Sequence, residues 1–530
     1  MSDRKLKKHL KSNFGQPSKI KYAEEDFGRI KEYLNYRRKL EVDPFLIDET
    51  TSRDLDLDTL FKKINLGYST SGEQMLYYYL HSPSPDEKTY KHRKHLIHLM
   101  MNEPDTRLNL SLALSKLGRN RYAKVTDNFE ATERNPLYLM GYLALVIGLI
   151  ASIVNFAMTF TQLSVFIMLF FVIINPLVRE YRRRPMMQDV ASVNYAVSMI
   201  ITFSRIKKMR VDKLTPLIED CEADFLKLKP AIKIGNVSAV SGNEYIEMML
   251  GWFLLDLISY ELLKGFIAKH GKELFNIHQK LGEIEAAIAV ASLRASAKYA
   301  TDPEIDYNEN SLPFIRGEGI VHPLVDQCVP NTMNSNQAMI ITGSNASGKS
   351  TFLKTVAINH LMSQCICTAF AESFSASALN LYSSMAISDK LLAGESYYIS
   401  EIKSIKRILE AIARGERVLC VIDEVLRGTN TIERISASSE ILRALNVPSS
   451  MSIVATHDLE LCQLLKDSYV PYHFQEEVTE TEMTFDYKMK EGQALSRNAI
   501  KLLHLMGFEA DMVKRADATA KQYVESGKWL

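Results

Sequence analysis

The run Gly-Ser-Asn-Ala-Ser-Gly-Lys-Ser at residues 343–350 constrains the fold of this chain more than any other feature of its sequence. It fits the pattern GxxxxGK[ST], in which backbone N–H groups of a glycine-rich loop surround phosphate oxygens. An apolar segment of strand length precedes it at 337–342, and a segment with helical periodicity follows from residue 351. This order predicts an α/β nucleotide-binding domain, because the helix N-terminus adds its positive dipole to the phosphate site.

Each residue of this loop has an expected role in holding ATP and Mg²⁺. The amine of Lys349 is expected to reach the β- and γ-phosphates, and the hydroxyl of Ser350 to coordinate Mg²⁺. The other phosphate contacts are predicted to come from Gly343, Ser344, Asn345, Ala346, Ser347, Gly348 and Thr351.

A second segment, 418–424, has the pattern of an apolar strand that ends in two carboxylates, Asp423 and Glu424. Asp423 is predicted to bind Mg²⁺, directly or through water. Glu424 is predicted to act as the general base that polarises the attacking water. Many strands end in an acidic residue, so the functional interpretation of this strand depends on its position after the phosphate loop.

Two further segments complete the pattern of an ABC-type ATPase. Residues 453–458 form a strand pattern that ends at His457, where ABC-type ATPases carry a histidine that contacts the γ-phosphate. Residues 394–401 stand where such ATPases carry their signature, and Ser396 is expected to donate to a γ-phosphate held by the partner subunit. The site would then be composite, so that hydrolysis requires a homodimer.

The predicted fold class combines two parts. Strand-like runs at 337–342, 417–423 and 451–457 alternate with helical segments, which predicts an ABC-type α/β P-loop ATPase domain with a mainly parallel sheet flanked by helices. The chain before residue 306 has helical patterns, which predicts an all-α domain.

These segments together resemble the MutS family of DNA mismatch-repair ATPases more closely than transporter ATPases. The phosphate loop, the run Leu-Arg-Gly-Thr-Asn-Thr at 426–431 (GRGTST-like in the family) and residues 491–516 are similar to the family's ATPase domain. His322-Pro323 and Val329-Pro330-Asn331 resemble its nucleotide-pocket entry, and 48–118 and 270–300 resemble the two ends of its lever domain. The resemblance implies a dimeric ATPase of DNA mismatch-repair type that binds DNA.

Three features depart from the family pattern. Only residues 1–47 precede the lever-like segments, so we expect the mismatch-reading and connector domains, and with them direct mismatch recognition, to be absent. Cys328 stands where the family often has an aromatic residue that stacks on adenine, which leaves base selectivity open. The third departure is a charge-free segment in the place of the family's DNA clamp.

This segment, residues 135–178, contains no charged side chain. Residues 137–160 and 163–178 are predicted to form a transmembrane helical hairpin, since a bilayer core of about 30 Å needs about 20 apolar residues per helix. The arginines at 179, 182, 183 and 184 would keep that end cytoplasmic. The alternative is a pair of buried helices in the levers or in a dimer interface.

The predicted organisation follows from these segments. A charged helical segment (1–47), the first lever half (48–135), the hairpin (136–179), the second lever half (180–305) and the ATPase domain (306–530) succeed one another. We expect membrane association with the ATPase domain in the cytoplasm, and a cytoplasmic protein is the alternative. The six cysteines form no CxxC pair and are expected to be reduced core residues.

The net charge does not indicate which kind of partner the chain binds, because 64 Lys and Arg nearly balance 63 Asp and Glu, for a net charge of +1. One hypothesis is a MutS-like ATPase that acts on mismatched or branched DNA through local basic patches, of which residues 91–94 are an example unless they are a solvated helix face. The alternative is a membrane-anchored ABC-type ATPase that acts on a protein or lipid. A transporter ATPase ranks below both, because two spans do not line a pathway.

Overall fold

The computed structural model describes residues 2–130, 136–183, 186–238, 249, 251–344, 347–385, 397–478, 483–493, 500, 503 and 507–526. The chain forms two compact units. The helical unit contains residues 1–43, 61–79 and 95–296, and the sheet unit contains 44–60, 80–94 and 297–530. Segments 48–60 and 80–94 thus belong to the sheet unit, although they lie within the predicted first lever half; the predicted domain boundaries stay predictions.

The described part of the chain before residue 297 is helical, as its periodicity predicts. The helices are α1 (Asp3–Asn13), α2 (Asp26–Ile30), α3 (Glu32–Leu40), α4 (Glu49–Asp54), α5 (Leu57–Ile64), α6 (Thr70–His81), α7 (Glu87–Asn102), α8 (Pro104–Leu117), α9 (Pro136–Thr159), α10 (Gln162–Arg183), α11 (Met187–Lys208), α12 (Thr215–Glu219), α13 (Glu222–Leu228), α14 (Pro230–Ser238), α15 (Leu255–Lys269) and α16 (Gly271–Ser296). Short 3₁₀ turns lie at Thr126–Asn128 and Asp212–Leu214. Helix α16 is buried continuously from Leu281 to Arg294 and forms the centre of the helical unit.

Helices α9 and α10 pair with each other and expose most of their apolar surface. A Cβ atom at Gly148 would lie 2.5 Å from Cζ of Phe171, so the glycine lets the two helices approach closely. Only 17% of the most apolar stretch of α9 and 11% of that of α10 is buried. Among the described residues these two helices are long and apolar enough to cross a membrane, whereas a soluble core helix would be mostly buried. The hairpin is therefore present as helices, and its insertion stays a prediction.

The base of this hairpin packs against α15. Tyr142, Leu254 and Leu257 are buried there, and partly buried apolar side chains surround them: Leu145, Val146, Val178 and Ile258. Helix α10 continues to Arg183, five residues beyond the predicted end of the second span at 178. Pro176 lies inside the helix and does not end it.

The sheet unit is built on three sheets. Its strands are β1 (Ala300–Thr301), β2 (Glu304–Asp306), β3 (Ile315–Ile320), β4 (Asn331–Ser335), β5 (Met339–Thr342), β6 (Ala369–Phe370), β7 (Ser373–Ser377), β8 (Asn380–Ser384), β9 (Val418–Asp423), β10 (Ser450–Ala455), β11 (Val470–Val478) and β12 (Met483–Glu491). The orders are β12-β11-β5-β10-β9-β8 in the largest sheet, β2-β7-β3-β4 in the second and β1-β6 in the third. Helices α17 (Lys349–Ile366), α18 (Tyr397–Ala413), α19 (Thr431–Leu445), α20 (Leu459–Leu464) and α21 (Ala510–Ser526) complete the unit.

The centre of the largest sheet confirms the parallel arrangement. Strand β10 pairs in parallel with β5 on one side and with β9 on the other, and these three strands are buried along their length. A parallel sheet covered on both faces requires such continuous apolar runs. Strand β12 alone runs antiparallel, at the edge beside β11.

Candidate nucleotide-binding site

The phosphate loop follows the carboxyl end of β5 and leads into α17. Gly343 and Gly348 have φ angles of 139° and 103°, a backbone conformation that favours glycine. A Cβ atom at Gly343 would lie 2.6 Å from the carbonyl oxygen of Phe474. Glycine at 343 thus lets the start of the loop pack directly against the backbone of β11.

Lys349 is the first residue of α17 and is only 2% exposed. Its Nζ atom donates hydrogen bonds to the carbonyl oxygens of Gly343 and Ser344, both at 2.6 Å. Burial lowers the pKa of Lys349, although the negative charges of Glu424 and Asp423 oppose this shift. The amine is therefore held inside the loop that surrounds the phosphate site.

Asp423 ends β9, and Glu424 follows it at the same edge of the sheet as the loop, because β9, β10 and β5 are parallel neighbours. Oε1 of Glu424 lies 3.3 Å from Nδ1 of His457, and Oε2 lies 2.5 Å from Nε of Arg427. Burial would raise the pKa of Glu424, but the hydrogen bond from His457 and the positive charge of Arg427 outweigh it, and the pKa is lowered. The carboxylate is thus ionised at neutral pH, as a general base must be.

His457 lies half-exposed beside Glu424, and their hydrogen bond raises the pKa of His457 above its ordinary value of 6.5. The next residue, Asp458, is buried and accepts two hydrogen bonds from the guanidinium of Arg434, at 2.9 and 2.8 Å. The N–H of Thr456 donates to the carbonyl of Ile341 at 2.9 Å, which ties the end of β10 to β5. These bonds fix the strand end that carries His457.

A cavity of about 370 Å³ opens beside the loop. Its volume falls within the range of about 300–1,000 Å³ that is typical of small-molecule sites. The lining combines the loop and the start of α17 with the segment 320–331 and two aromatic residues from β11 and β12: Ile320, Val325, Gln327, Cys328, Val329, Asn331, Gly348, Ser350, Thr351, Phe352, Thr355, Phe474 and Tyr487. This composition, with the loop at one end and a mixture of apolar and polar side chains elsewhere, suits a nucleotide whose base lies away from the loop.

Tyr487 is an aromatic residue of this cavity that the sequence did not indicate. A Cβ atom at Gly348 would lie 3.1 Å from its Cδ1, and its ring stacks on Phe485 with centroids 5.7 Å apart. The side chain of Asn331 donates to the carbonyl of Tyr487 at 2.9 Å and accepts from the N–H of Met489 at 2.8 Å. Asn331 therefore holds Tyr487 at its left-handed φ of 51°. Tyr487 supplies the aromatic surface that Cys328 does not.

Residues 339–524 match the family model of MutS domain V. Over 284 residues the chain is 25% identical to the DNA mismatch repair protein MutS of Fusobacterium nucleatum, an alignment that covers 51% of this chain and 31% of that protein. Over 202 residues it is 27% identical to MutS of Thermus thermophilus, with 37% and 25% covered. Over 215 residues it is 30% identical to MutS 1 of Haloarcula marismortui, with 39% and 22% covered.

The chain spans about a quarter to a third of the length of these curated MutS relatives. The resemblance to MutS is thus confirmed for the sheet unit from β5 onwards, at modest identity. The mixed α/β architecture with its parallel sheet agrees with MutS domain V.

Within the region that matches the model of MutS domain V, the structure brings most of the predicted site residues to one edge of the largest sheet. These residues are Gly343, Ser344, Ser347, Gly348, Lys349, Ser350, Thr351, Asp423, Glu424 and His457. The predicted Asn345, Ala346 and Ser396, with the rest of the segment 386–396, lie outside the described residues.

The donor set fits a Mg²⁺ ion that binds together with ATP. Mg²⁺ in phosphate sites is usually held by one or two protein groups, and phosphates and water supply its other ligands. Ser350 offers a hydroxyl and Asp423 a carboxylate. No cluster of three or more His, Cys, Asp or Glu that would bind a metal alone occurs in the described part of the chain.

Proposed function

We propose that the chain is a MutS-like ATPase that hydrolyses ATP with Mg²⁺. The observation that carries this proposal is the meeting of Glu424, His457 and the Lys349 loop at one edge of a parallel sheet, with the pKa of Glu424 lowered. In phosphoryl transfer the protein chiefly positions groups and stabilises charge. This edge provides both, a buried cation for the phosphates and an ionised base for water.

Each side chain has one task in this proposal. Lys349 binds phosphate oxygens, while Ser350 and Asp423 hold Mg²⁺, which neutralises phosphate charge when it is bound. Glu424 accepts a proton from the attacking water. His457 keeps Glu424 in place through the 3.3 Å contact and faces the γ-phosphate.

Glu424→Gln tests the assignment of the base. The variant should bind ATP like the wild type and hydrolyse it about a hundredfold to ten-thousandfold more slowly, the usual contribution of a general base. Glu440→Gln is the matched control, because this carboxylate is exposed and pairs with Arg443. Lys349→Ala should lose nucleotide binding. Hydrolysis by Glu424→Gln at the wild-type rate would show that another group is the base.

Composite sites in a homodimer form the second part of the proposal. Its support is the segment 394–401, which is similar to the signature through which ABC-type ATPases contact the partner's nucleotide. Subunits with Ser396→Ala mixed with subunits with Lys349→Ala should restore at most one working site per dimer. A monomer that hydrolyses ATP at the full rate at every dilution would contradict it.

DNA is the proposed partner, since the relatives are named DNA mismatch repair proteins. We infer that mismatched or branched DNA is bound without direct reading of a mismatch. The chain contains two Phe-x-Glu triplets, at 370–372 and 474–476, but Phe370 and Phe474 are buried strand residues that cannot enter a duplex as a wedge. Competition between matched and mismatched duplexes is the test, and a tenfold preference, about 1.4 kcal/mol, would refute this inference.

A membrane-anchored ATPase that acts on a protein or lipid is the second candidate, favoured by the exposed apolar surface of α9 and α10. Insertion of the hairpin would place the protein at the membrane, with the ATPase in the cytoplasm, because two spans return the chain to its starting side. Carbonate extraction of cell membranes tests insertion. Release of the intact protein into the supernatant would favour the cytoplasmic alternative.

A further inference from the structure

We propose that the base of the α9–α10 hairpin binds the phosphate groups of acidic phospholipids through Arg182, which is oriented by Tyr138 and Tyr142. This inference rests on the membrane insertion proposed above and names the lipid chemistry that the inserted hairpin selects.

The length of the exposed apolar surface fixes the level of this base relative to a bilayer. The 17 residue steps from Tyr142 to Thr159 in α9, and the 17 from Gln162 to Arg179 in α10, correspond to about 26 Å at about 1.5 Å per residue. A bilayer core is about 30 Å thick. A membrane that covers the hairpin therefore places its tip at one headgroup layer and the level of Tyr142 and Arg179 at the other.

The side chains exposed between these two levels are mostly apolar, and Asn155 is a polar exception. The apolar residues exposed along both helices include Ile147, Ile150, Val154, Met158, Leu163, Phe166, Phe170 and Ile173. The hydroxyls of Ser152 and Thr159 each donate to a carbonyl of α9 at 2.7 Å, and the hydroxyl of Ser164 donates to the carbonyl of Thr161, just before α10, at 2.7 Å. Polar groups within a bilayer need such internal partners, because no water is present to bind them. Lipid is thus the occupant that matches the length, the exposure and the satisfied hydroxyls of the hairpin.

The two described arginine side chains at the base differ in how their charge is compensated. Nε of Arg179 donates to the carboxylate of Asp256 at 2.7 Å, which neutralises its charge. Nε of Arg182 donates instead to the hydroxyl of Tyr142 at 2.9 Å, and its guanidinium lies 4.0 Å from the ring centroid of Tyr138. None of the carboxylates in the described part of the chain forms an ion pair with Arg182.

An arginine held in this way suits a phosphate group. Stacking on Tyr138 fixes the plane of the guanidinium, and the N–H groups not bonded to Tyr142 can form a bidentate pair with phosphate oxygens. Tyrosines of membrane proteins are enriched at the headgroup level, where Tyr138 lies 43% exposed. A partly exposed cation at this level attracts anionic lipids rather than neutral ones.

Flotation of the purified full-length chain with vesicles tests the proposal. Vesicles of phosphatidylcholine alone are compared with vesicles that also contain phosphatidylglycerol. The wild type should bind both and prefer the acidic vesicles. Arg182→Gln should lower this preference about fivefold, the effect of one cation near an anionic surface. Arg205→Gln is the matched control, because Arg205 is an exposed arginine of α11 in the same unit, and it should change the preference less than twofold.

The outcomes separate the two proposals. Failure to float with either vesicle would overturn both insertion and the headgroup site. Binding to both vesicles with no effect of Arg182→Gln, or with an equal effect of Arg205→Gln, would leave insertion standing and overturn the site.

Trp252 provides a measurement that needs no change at Arg182. Its carbonyl accepts from Nδ2 of Asn175 at 2.8 Å, so it lies at the hairpin base, and Trp529 is the only other tryptophan of the chain. In a Trp529→Phe chain in vesicles, labels near the lipid headgroups should quench Trp252 more than labels at the acyl-chain ends. Stronger quenching by the chain-end labels would place the base inside the hydrocarbon and refute the headgroup site.

Discussion

Truncation of Tyr487 is the substitution that best tests the shape of the candidate base site. Tyr487→Ala removes the aromatic ring that lies over Gly348 at the edge of the 370 Å³ cavity. The stacking of a base on an aromatic side chain contributes about 1–3 kcal/mol. Because Tyr487 is 43% exposed and already stacks on Phe485, only part of its ring is available to a base, and we expect a loss at the low end of this range. A loss of about 1–1.5 kcal/mol raises the Kd roughly fivefold to tenfold.

Calorimetric titration with ADP and Mg²⁺ measures this loss without interference from hydrolysis. Tyr487→Phe keeps the ring and should bind like the wild type, and Tyr122→Ala removes an exposed tyrosine of the helical unit as a control. Asn331→Ala should produce part of the loss, because it removes the two hydrogen bonds that hold the backbone around Tyr487. A folded Tyr487→Ala protein whose Kd stays within twofold of the wild-type value would refute the stacking role.

Three further predictions concern titration, backbone conformation and the phosphate loop. The lowered pKa of Glu424 keeps this carboxylate ionised down to below pH 4.5, so the hydrolysis rate should not fall between neutral pH and about pH 5. The raised pKa of His457 means that this side chain loses its proton above pH 6.5. A change of the hydrolysis rate on the alkaline side should therefore be present in the wild type and disappear in His457→Gln. Leu426 has a left-handed φ of 56° and is only 3% exposed. Leu426→Gly should relieve about 1–2 kcal/mol of backbone strain but lose about 2–5 kcal/mol of packing. The loss is the larger of the two, so the melting temperature should fall. Glu41→Gly, at an exposed residue with a φ of 51°, should raise it, which isolates the backbone effect. Gly343→Ala should abolish nucleotide binding, because its Cβ atom would meet the Phe474 carbonyl at 2.6 Å; binding by this variant in equilibrium dialysis would contradict the assigned loop geometry.

The sheet centre and the edge that carries the candidate site were predictable because their signals are local. The strand before Gly343, the strand before Asp423 and the strand before His457 are continuous apolar runs, and parallel neighbours bring their carboxyl ends together. The backbone conformation of the run 426–431 could not be predicted from local signals. The family's run begins with glycine where this chain has Leu426, and only the structure shows that the leucine adopts the left-handed backbone and is buried in the core.

Residues brought in by long-range pairing could not be predicted. Tyr487 reaches the cavity because β12 pairs with β11 and Asn331 bonds to a residue 156 positions away. The partner of Arg434 is equally invisible in sequence, because Asp458 lies 24 positions away, although this ion pair fixes the position of Asp458. Local periodicity reports burial and element type, and it carries no information on which edge strand covers a site.

The distribution of charged side chains bears on where DNA would bind. Duplex DNA is held mainly through contacts between cations and its phosphates. The segment 135–178, which contains the hairpin, has no charged side chain, so this surface cannot supply such contacts. The basic run 91–94 is weaker than its sequence indicates, because Arg93 is buried and donates to the carbonyls of Ser82 and Cys365, and Lys91 pairs with Glu87. DNA binding through these two surfaces should therefore depend less steeply on salt than binding through a basic clamp, for which about six to ten phosphate contacts lower the affinity by about 10³ or more between 50 and 200 mM salt.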